Sequence, residues 1–170
     1  FSWTVTNPAP TATNNAASTS EDAPIPSINV LGNDNDPDGD PLTVTAASAP
    51  NGTVTINADG TLRYVPNANF SGTDTITYTI SDGQGGTATA TVTVTIGTVN
   101  DAPTAVGSLP PRTNVDAATG VNVPTASGFT DVDNATLTYS VSGLAAGLTI
   151  NRATGGITGA SDRSASQGGA

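Results

Sequence analysis

Residues 75–96 read Thr-Ile-Thr-Tyr-Thr-Ile-Ser-Asp-Gly-Gln-Gly-Gly-Thr-Ala-Thr-Ala-Thr-Val-Thr-Val-Thr-Ile. On either side of a Ser81-to-Gly86 turn, apolar residues fall on every second position: Ile76, Tyr78 and Ile80, then Ala88, Ala90, Val92, Val94 and Ile96. That is the period of a strand with one buried face, and threonine on the other face suits β-structure. Two long strands joined by a short Gly-rich turn are expected here.

Upstream, the same period returns in shorter pieces. Thr11 to Ala23 is polar and small, a first strand or its approach. Ile28, Val30 and Leu31 lead into an Asp-rich loop over residues 32–40, after which Leu42, Val44 and Ala46 alternate with threonines. Val54 and Ile56 share a face, Asp59-Gly60 turns a hairpin into Leu62 and Tyr64, and residues 66–72 cross over carrying Phe70. About seven strands with no helical period predict an all-β Greek-key sandwich of immunoglobulin-like type.

The joint Val99-Asn100-Asp101-Ala102-Pro103 shows that this is one of two copies. Asp36, Asp38 and Leu42 recur as Asp131, Asp133 and Leu137, 95 positions on in each case. Ile56-Asn57 recurs as Ile150-Asn151 at an offset of 94, and Asn7-Pro8-Ala9-Pro10 aligns with the joint itself at an offset of 93. A period this long is a whole domain. The expected division is residues 1–8 as the last strand of a preceding repeat, 9–101 as one sandwich, and 102–170 as a second sandwich lacking its last two strands. In the second copy, strands are expected at Val121 and Val123, at Leu137, Tyr139 and Val141, at Leu148 and Ile150, and at Ile157. The tail 161–170 is weakly apolar and is expected to be mobile. The chain starts at Phe1 without Met and reads as a stretch of something longer.

The net charge is −10, all positive charge comes from four arginines, and thirteen of the fourteen acids are Asp, with Glu21 the exception. Such a surface repels phosphate, so nucleic acid and anionic membrane are excluded as partners. With no His, Cys or Lys, the usual nucleophile and base pairings are missing, and no enzyme is expected. No spanning segment is visible. With no Cys, disulfide staples are unavailable, and calcium is the natural substitute in an extracellular medium. Tyr64, Tyr78, Tyr139, Phe70 and Phe129 are read as core residues.

Asp34-x-Asp36-x-Asp38-Gly39 has the opening of an EF-hand loop, but Thr45 stands at its twelfth position and strands flank it. An EF-hand is therefore rejected. A calcium loop and a solvated turn stand level for this loop alone. Recurrence of Asp36 and Asp38 as Asp131 and Asp133, each just before a core strand, shifts the balance toward ligands.

Val99-Asn100-Asp101-Ala102-Pro103 resembles the Asn-Asp-x-x-Pro linker of cadherins, and Asp131-Val132-Asp133-Asn134-Ala135 resembles their Asp-x-Asp calcium segment. The first repeat, with Glu21-Asp22, Val30-Leu31-Gly32-Asn33-Asp34, Asp36-Pro37-Asp38-Gly39-Asp40, Asn69-Phe70-Ser71-Gly72-Thr73-Asp74 and Ser81-Asp82-Gly83, is similar to a bacterial cadherin-like repeat of large surface adhesins. The second, with residues 143–150 and 153–159, is similar to the putative-immunoglobulin or dystroglycan-type cadherin-like module. The resemblance implies calcium (Ca2+) at the joint on Glu21, Asp74, Asn100, Asp101, Asp131 and Asp133. It also implies an upper site on Asp36, Asp38 and Asp82, with Asn7 above. Pro8 stands where a linker Asp would be, and Asp162-Arg163-Ser164 ends without the Glu of a cadherin Asp-Arg-Glu motif.

The functional expectation is a calcium-rigidified extender in a long extracellular bacterial adhesin or surface fibre, its partners being neighbouring repeats of the same polypeptide. The alternative is a self-assembling filament subunit in which the strand bearing Phe1, Trp3 and Val5 enters the next identical chain head to tail. A carbohydrate- or matrix-binding module ranks last, since aromatic residues make up only 4% of the chain.

Overall fold

The computed structural model describes residues 1–3, 6–106, 121–123, 128–144 and 147–159. Val5, Asp162 to Ser164 and the tail 161–170 lie outside the described residues. The chain forms two compact units, Phe1–Val99 and Asn100–Ala170.

In the first unit the strands are β1 (Asn15–Ser20), β2 (Ile25–Ile28), β3 (Thr43–Ser48), β4 (Gly52–Ile56), β5 (Leu62–Pro66), β6 (Gly72–Ser81) and β7 (Thr87–Gly97). They make two sheets, a four-stranded one in the order β1-β7-β6-β3 and a three-stranded one in the order β2-β5-β4. The Thr-apolar alternation sets the geometry. Antiparallel pairing of β6 with β7 places Ile76 opposite Val92, Tyr78 opposite Ala90 and Ile80 opposite Ala88, so the apolar rows coincide on one face. Ile76, Tyr78, Ile80, Val92 and Val94 are fully buried there, and Leu62 and Tyr64 of β5 meet them from the other sheet, together with Val30. Each such aliphatic side chain contributes about 1.5–3 kcal/mol by leaving water. This is the expected immunoglobulin-type sandwich.

β1 runs parallel to β7, with Asn15 through Ser20 in register with Val92 through Gly97. β3 departs from simple alternation. Its pairing with β6 shifts between Val44 and Ala46, so Val44 and Ala47 are half-buried while Ala46, expected on the inner face, is exposed. One extra residue at a bulge moves everything after it to the opposite face.

The second unit contains β8 (Thr104–Ala105), β9 (Val121–Val123), β10 (Phe129–Thr130), β11 (Leu148–Ile150) and β12 (Ile157–Gly159). β10 pairs with β8, and β11, β12 and β9 form a second antiparallel sheet. The strand expected over Leu137, Tyr139 and Val141 is not formed. Tyr139 N–H donates to Arg152 O at 2.8 Å, but alternation makes a strand only where a ladder continues along it. Phe129 is 41% exposed, which corrects its expected place in a core: the short strands described in this unit provide no covering layer for it. Residues 1–3 and 6–8 likewise form no strand, and Phe1 and Trp3 lie open to solvent.

Candidate cation site

The Asp-rich loop begins where β2 ends. Leu31–Asn33 makes one 3-10 turn, and Asp34 then returns to extended backbone. Asn35 and Thr11 exchange backbone bonds of 2.8 and 3.0 Å, which ties the loop to the segment leading into β1. Asp34 turns inward: it accepts from Thr13 N–H at 2.7 Å and from the Tyr78 hydroxyl at 3.3 Å to each oxygen. It is a structural acceptor, and the loop's acidic triplet starts two residues later.

Asp36 Oδ1 accepts three backbone N–H groups, from Asp38 and Gly39 at 3.1 Å and from Asp40 at 3.2 Å. Gly39 makes that wrap possible with φ of 86°, a left-handed value open to glycine without strain. Carboxylate oxygens of Asp36, Asp38 and Asp40 lie within 4.8 Å of one another. Asp36 is 8% exposed, and its Oδ2 is buried with no hydrogen bond. The neighbouring Asp38 carboxyl, together with the three N–H groups, holds Asp36 below the usual carboxylate range against the opposing effect of burial. The same contact pushes Asp38 upward, helped by burial and by repulsion from Asp36. A donor set made only of carboxylates, with one buried oxygen unsatisfied, fits a hard cation such as calcium.

Asp82 is buried beside this loop. Its Oδ1 accepts from Gln84 and Gly86 N–H at 2.8 and 2.9 Å, and its Oδ2 accepts from Asn7 Nδ2 at 2.8 Å. Burial alone would raise its pKa; the two N–H groups and the Asn7 amide outweigh that and hold it low. Asp82 and Asn7 are thus brought together, while Asp40 stands with Asp36 and Asp38 in the acidic cluster. The sequence signal for Asp40 was the alternation itself, which continues one step past Asp38.

Of the residues expected at the joint, two belong to the first unit. Glu21 is buried and its Oε1 accepts from Val99 N–H at 2.6 Å. Asp74, 1% exposed, accepts from Tyr64 OH (2.8 Å), Thr75 N–H (2.8 Å), Asn51 N–H (3.1 Å) and Asn51 Nδ2 (3.3 Å). Two protein donors on each oxygen make Asp74 part of the core. The other four converge in the second unit. Asp131 Oδ1 accepts from Asp133 and Asn134 N–H at 2.9 and 2.8 Å, the same wrap that Asp36 makes. Asp133 Oδ2 accepts from Asp101 N–H at 2.6 Å, and Asn134 Nδ2 donates to Asn100 Oδ1 at 3.1 Å. Asn134 is an addition to the expected set.

Residues 7–95 match the family model described as "Bacterial Ig domain", slightly more than half of the chain. The chain belongs to the bacterial Ig domain family. Residues 102–169 match a second model, described as "Putative Ig domain", so two Ig modules follow one another. Ig modules repeated in this way have a structural or adhesive role. No curated protein sequence matches the chain. Among solved structures, the human desmocollin-1 ectodomain is similar at 16% identity and a TM-score of 0.50, covering 94% of this chain and 35% of that one. A protocadherin gamma C5 fragment (17% identity, TM-score 0.47) covers 89% of this chain and 56% of its own. An endo-fucoidan hydrolase of glycoside hydrolase family 107 (23% identity, TM-score 0.45) covers 94% of this chain and 26% of its own. The chain thus spans about a quarter of the hydrolase and about a third of the desmocollin ectodomain. At these identities the desmocollin likeness establishes the cadherin-like fold of the Ig modules and nothing further.

Proposed function

We propose that this chain is a non-enzymatic extender segment of a long extracellular bacterial adhesin or surface fibre, stiffened by calcium at the linker between its modules. The observation that carries the reading is the setting of the linker. Val99, before it, is held by the buried Glu21 carboxylate, and Asn100 and Asp101 are held by the Asp131–Asn134 loop. Acidic groups therefore bracket the linker, each in its own unit. Clustered carboxylates repel one another, and a hard cation removes that repulsion. Among the described residues no helix is long and apolar enough to cross a membrane. The partners are neighbouring repeats, with no nucleic acid and no inserted membrane segment.

Small-angle scattering of the chain in millimolar calcium and after chelation tests this at several protein concentrations. A calcium-dependent gain in maximum dimension that is independent of concentration is expected. No change on chelation overturns the calcium-stiffened linker. Exposure of Phe1 and Trp3 favours the head-to-tail filament as the second reading, and growth of particle mass with concentration would select it. A carbohydrate site would have a candidate seat in an open cleft of about 400 Å3 in the second unit, lined by Phe129, Asp131, Asn134, Leu137 and Tyr139. The Phe129 and Tyr139 rings meet at 64°, so they do not offer a sugar one flat platform.

A further inference from the structure

The outer face of the four-stranded sheet β1-β7-β6-β3 carries hydroxyls and no charge. β6 and β7 pair in register, so Thr75 stands opposite Thr93, Thr77 opposite Thr91 and Thr79 opposite Thr89. The residues that β1 and β3 expose on either side are serine, threonine and alanine. Side chains are thus set about 4.8 Å apart across the strands and about 7 Å apart along them. Every acid of the first unit lies off this face. Glu21 and Asp22 follow β1, the run Asp34 to Asp40 precedes β3, Asp59 is in the β4–β5 turn, Asp82 is in the β6–β7 turn and Asp74 is buried. Arg63 is on β5, in the other sheet.

Two copies of a chain with net charge −10 repel wherever their acids meet. This neutral face lets them approach without that cost. It is also self-complementary, because a threonine hydroxyl both donates and accepts; Thr79 and Thr89 already share a contact of 3.4 Å in which either oxygen can be the donor. A two-fold contact requires that property, since the same patch serves on both sides. From the strand lengths the face covers about 500 Å2 in projection. Two such faces bury about 1,000 Å2, the size of a weak, specific contact. No aromatic side chain stands on the face among the described residues of its four strands, so a sugar finds no ring to stack on, and a second copy is favoured over a glycan. We propose that two copies of this chain pair side by side through the threonine face of the first unit, sheet against sheet. Chains crowded on one surface, as in the stalk proposed above, reach millimolar local concentrations, where such a contact is occupied.

The test is sedimentation equilibrium of the full chain in chelator, which keeps calcium at the linker out of the readout. Association that stops at two copies is expected, with Kd on the order of 0.1–1 mM. Raising sodium chloride from about 10 mM to about 150 mM shortens the screening length from about 30 Å to about 8 Å and should tighten pairing severalfold. Thr75→Glu and Thr77→Glu, each on the face, should weaken it about tenfold or more. Thr53→Glu adds the same charge at an exposed position on β4 and should leave it unchanged. A second measurement spares the face any charge: the chain has no Cys, so a bismaleimide spanning about 10 Å, the spacing of packed sheets, should join copies of Thr77→Cys and not of Thr53→Cys. A chain that stays single at millimolar concentration overturns the proposal, as does equal weakening by Thr53→Glu or pairing that salt weakens. Mass that keeps growing past two copies and is lost in Trp3→Ser assigns association to the N-terminal strand and also overturns it. So does a chain that stays single yet binds cellohexaose in a manner lost with Thr77→Glu. Scattering insensitive to chelation, with pairing intact, sinks the calcium-stiffened linker alone.

Discussion

Tyr64 and Tyr78 reach into the same core from facing sheets, and each ends on a carboxylate: Tyr64 on Asp74 at 2.8 Å, Tyr78 on Asp34 at 3.3 Å. An apolar ring with a bonded hydroxyl fills the core and at the same time helps satisfy polar groups at its edge, the buried Asp74 for Tyr64 and, for Tyr78, Thr13 O at 3.0 Å with the half-buried Asp34 beside it. Tyr64→Phe keeps the ring but leaves Asp74 Oδ2 with one donor fewer, and should cost about 1–3 kcal/mol in chemical denaturation. Burial and the adjacent carboxylate push both hydroxyls up, Tyr78 to about 12 against 10.0 in the free residue. A raised pKa means that the unfolded chain releases the proton first. The contribution is therefore complete below pH 10 and is lost as pH rises toward 12. Melting curves across that window should show an alkaline loss of stability that Tyr78→Phe flattens. Which acids do what was only partly legible in the sequence. The run Asp34, Asp36, Asp38, Asp40 is uniform, and any three in succession have the same spacing. What sets Asp34 apart from the cluster of Asp36, Asp38 and Asp40 is its contact with a tyrosine 44 positions away, a relation that no local pattern carries.

At the scale of elements, the strand pattern was legible because threonine alternating with Val, Ile and Tyr states which face is buried. β6 and β7 follow that alternation throughout, and β5 keeps the same period of burial without threonine. β3 shows where such reading stops. Its residues Thr43 to Ser48 are all small or β-branched, so nothing marks the register shift between Val44 and Ala46. The bulge makes an opposed pair of substitutions informative. Ala46→Asp should change stability by no more than about 0.5 kcal/mol, and Ala47→Asp should cost about 1–3 kcal/mol, because only the second carboxylate is forced toward the core. Equal effects in denaturation would place the bulge elsewhere. The segment Leu137 to Val141 failed as a strand for a related reason. Period two reports an inclination to pair, and the pairing partner decides the outcome.

For the whole molecule, the repeat visible at Asp36 and Asp131 has a physical counterpart, since both carboxylates wrap the N–H groups that follow them. The wrap is common to both loops while their surroundings differ: Asp38 shares a cluster with Asp36 and Asp40, whereas Asp133 takes the Asp101 N–H. The parallel register of β1 with β7 matters most once tension is applied. β1 opens the first unit and β7 closes it, so a pull on the two chain ends draws these neighbours in opposite directions along their length. Six residue pairs, Asn15–Val92 through Ser20–Gly97, are then loaded together in shear and cannot be peeled apart one by one. Resistance to such a pull is governed by the unfolding rate. Ala17→Pro, which removes one rung of the ladder, should lower the force at which the first unit ruptures in single-molecule stretching. A link in a tether needs its strength along the line of load, and the first and last strands of this unit lie side by side along that line.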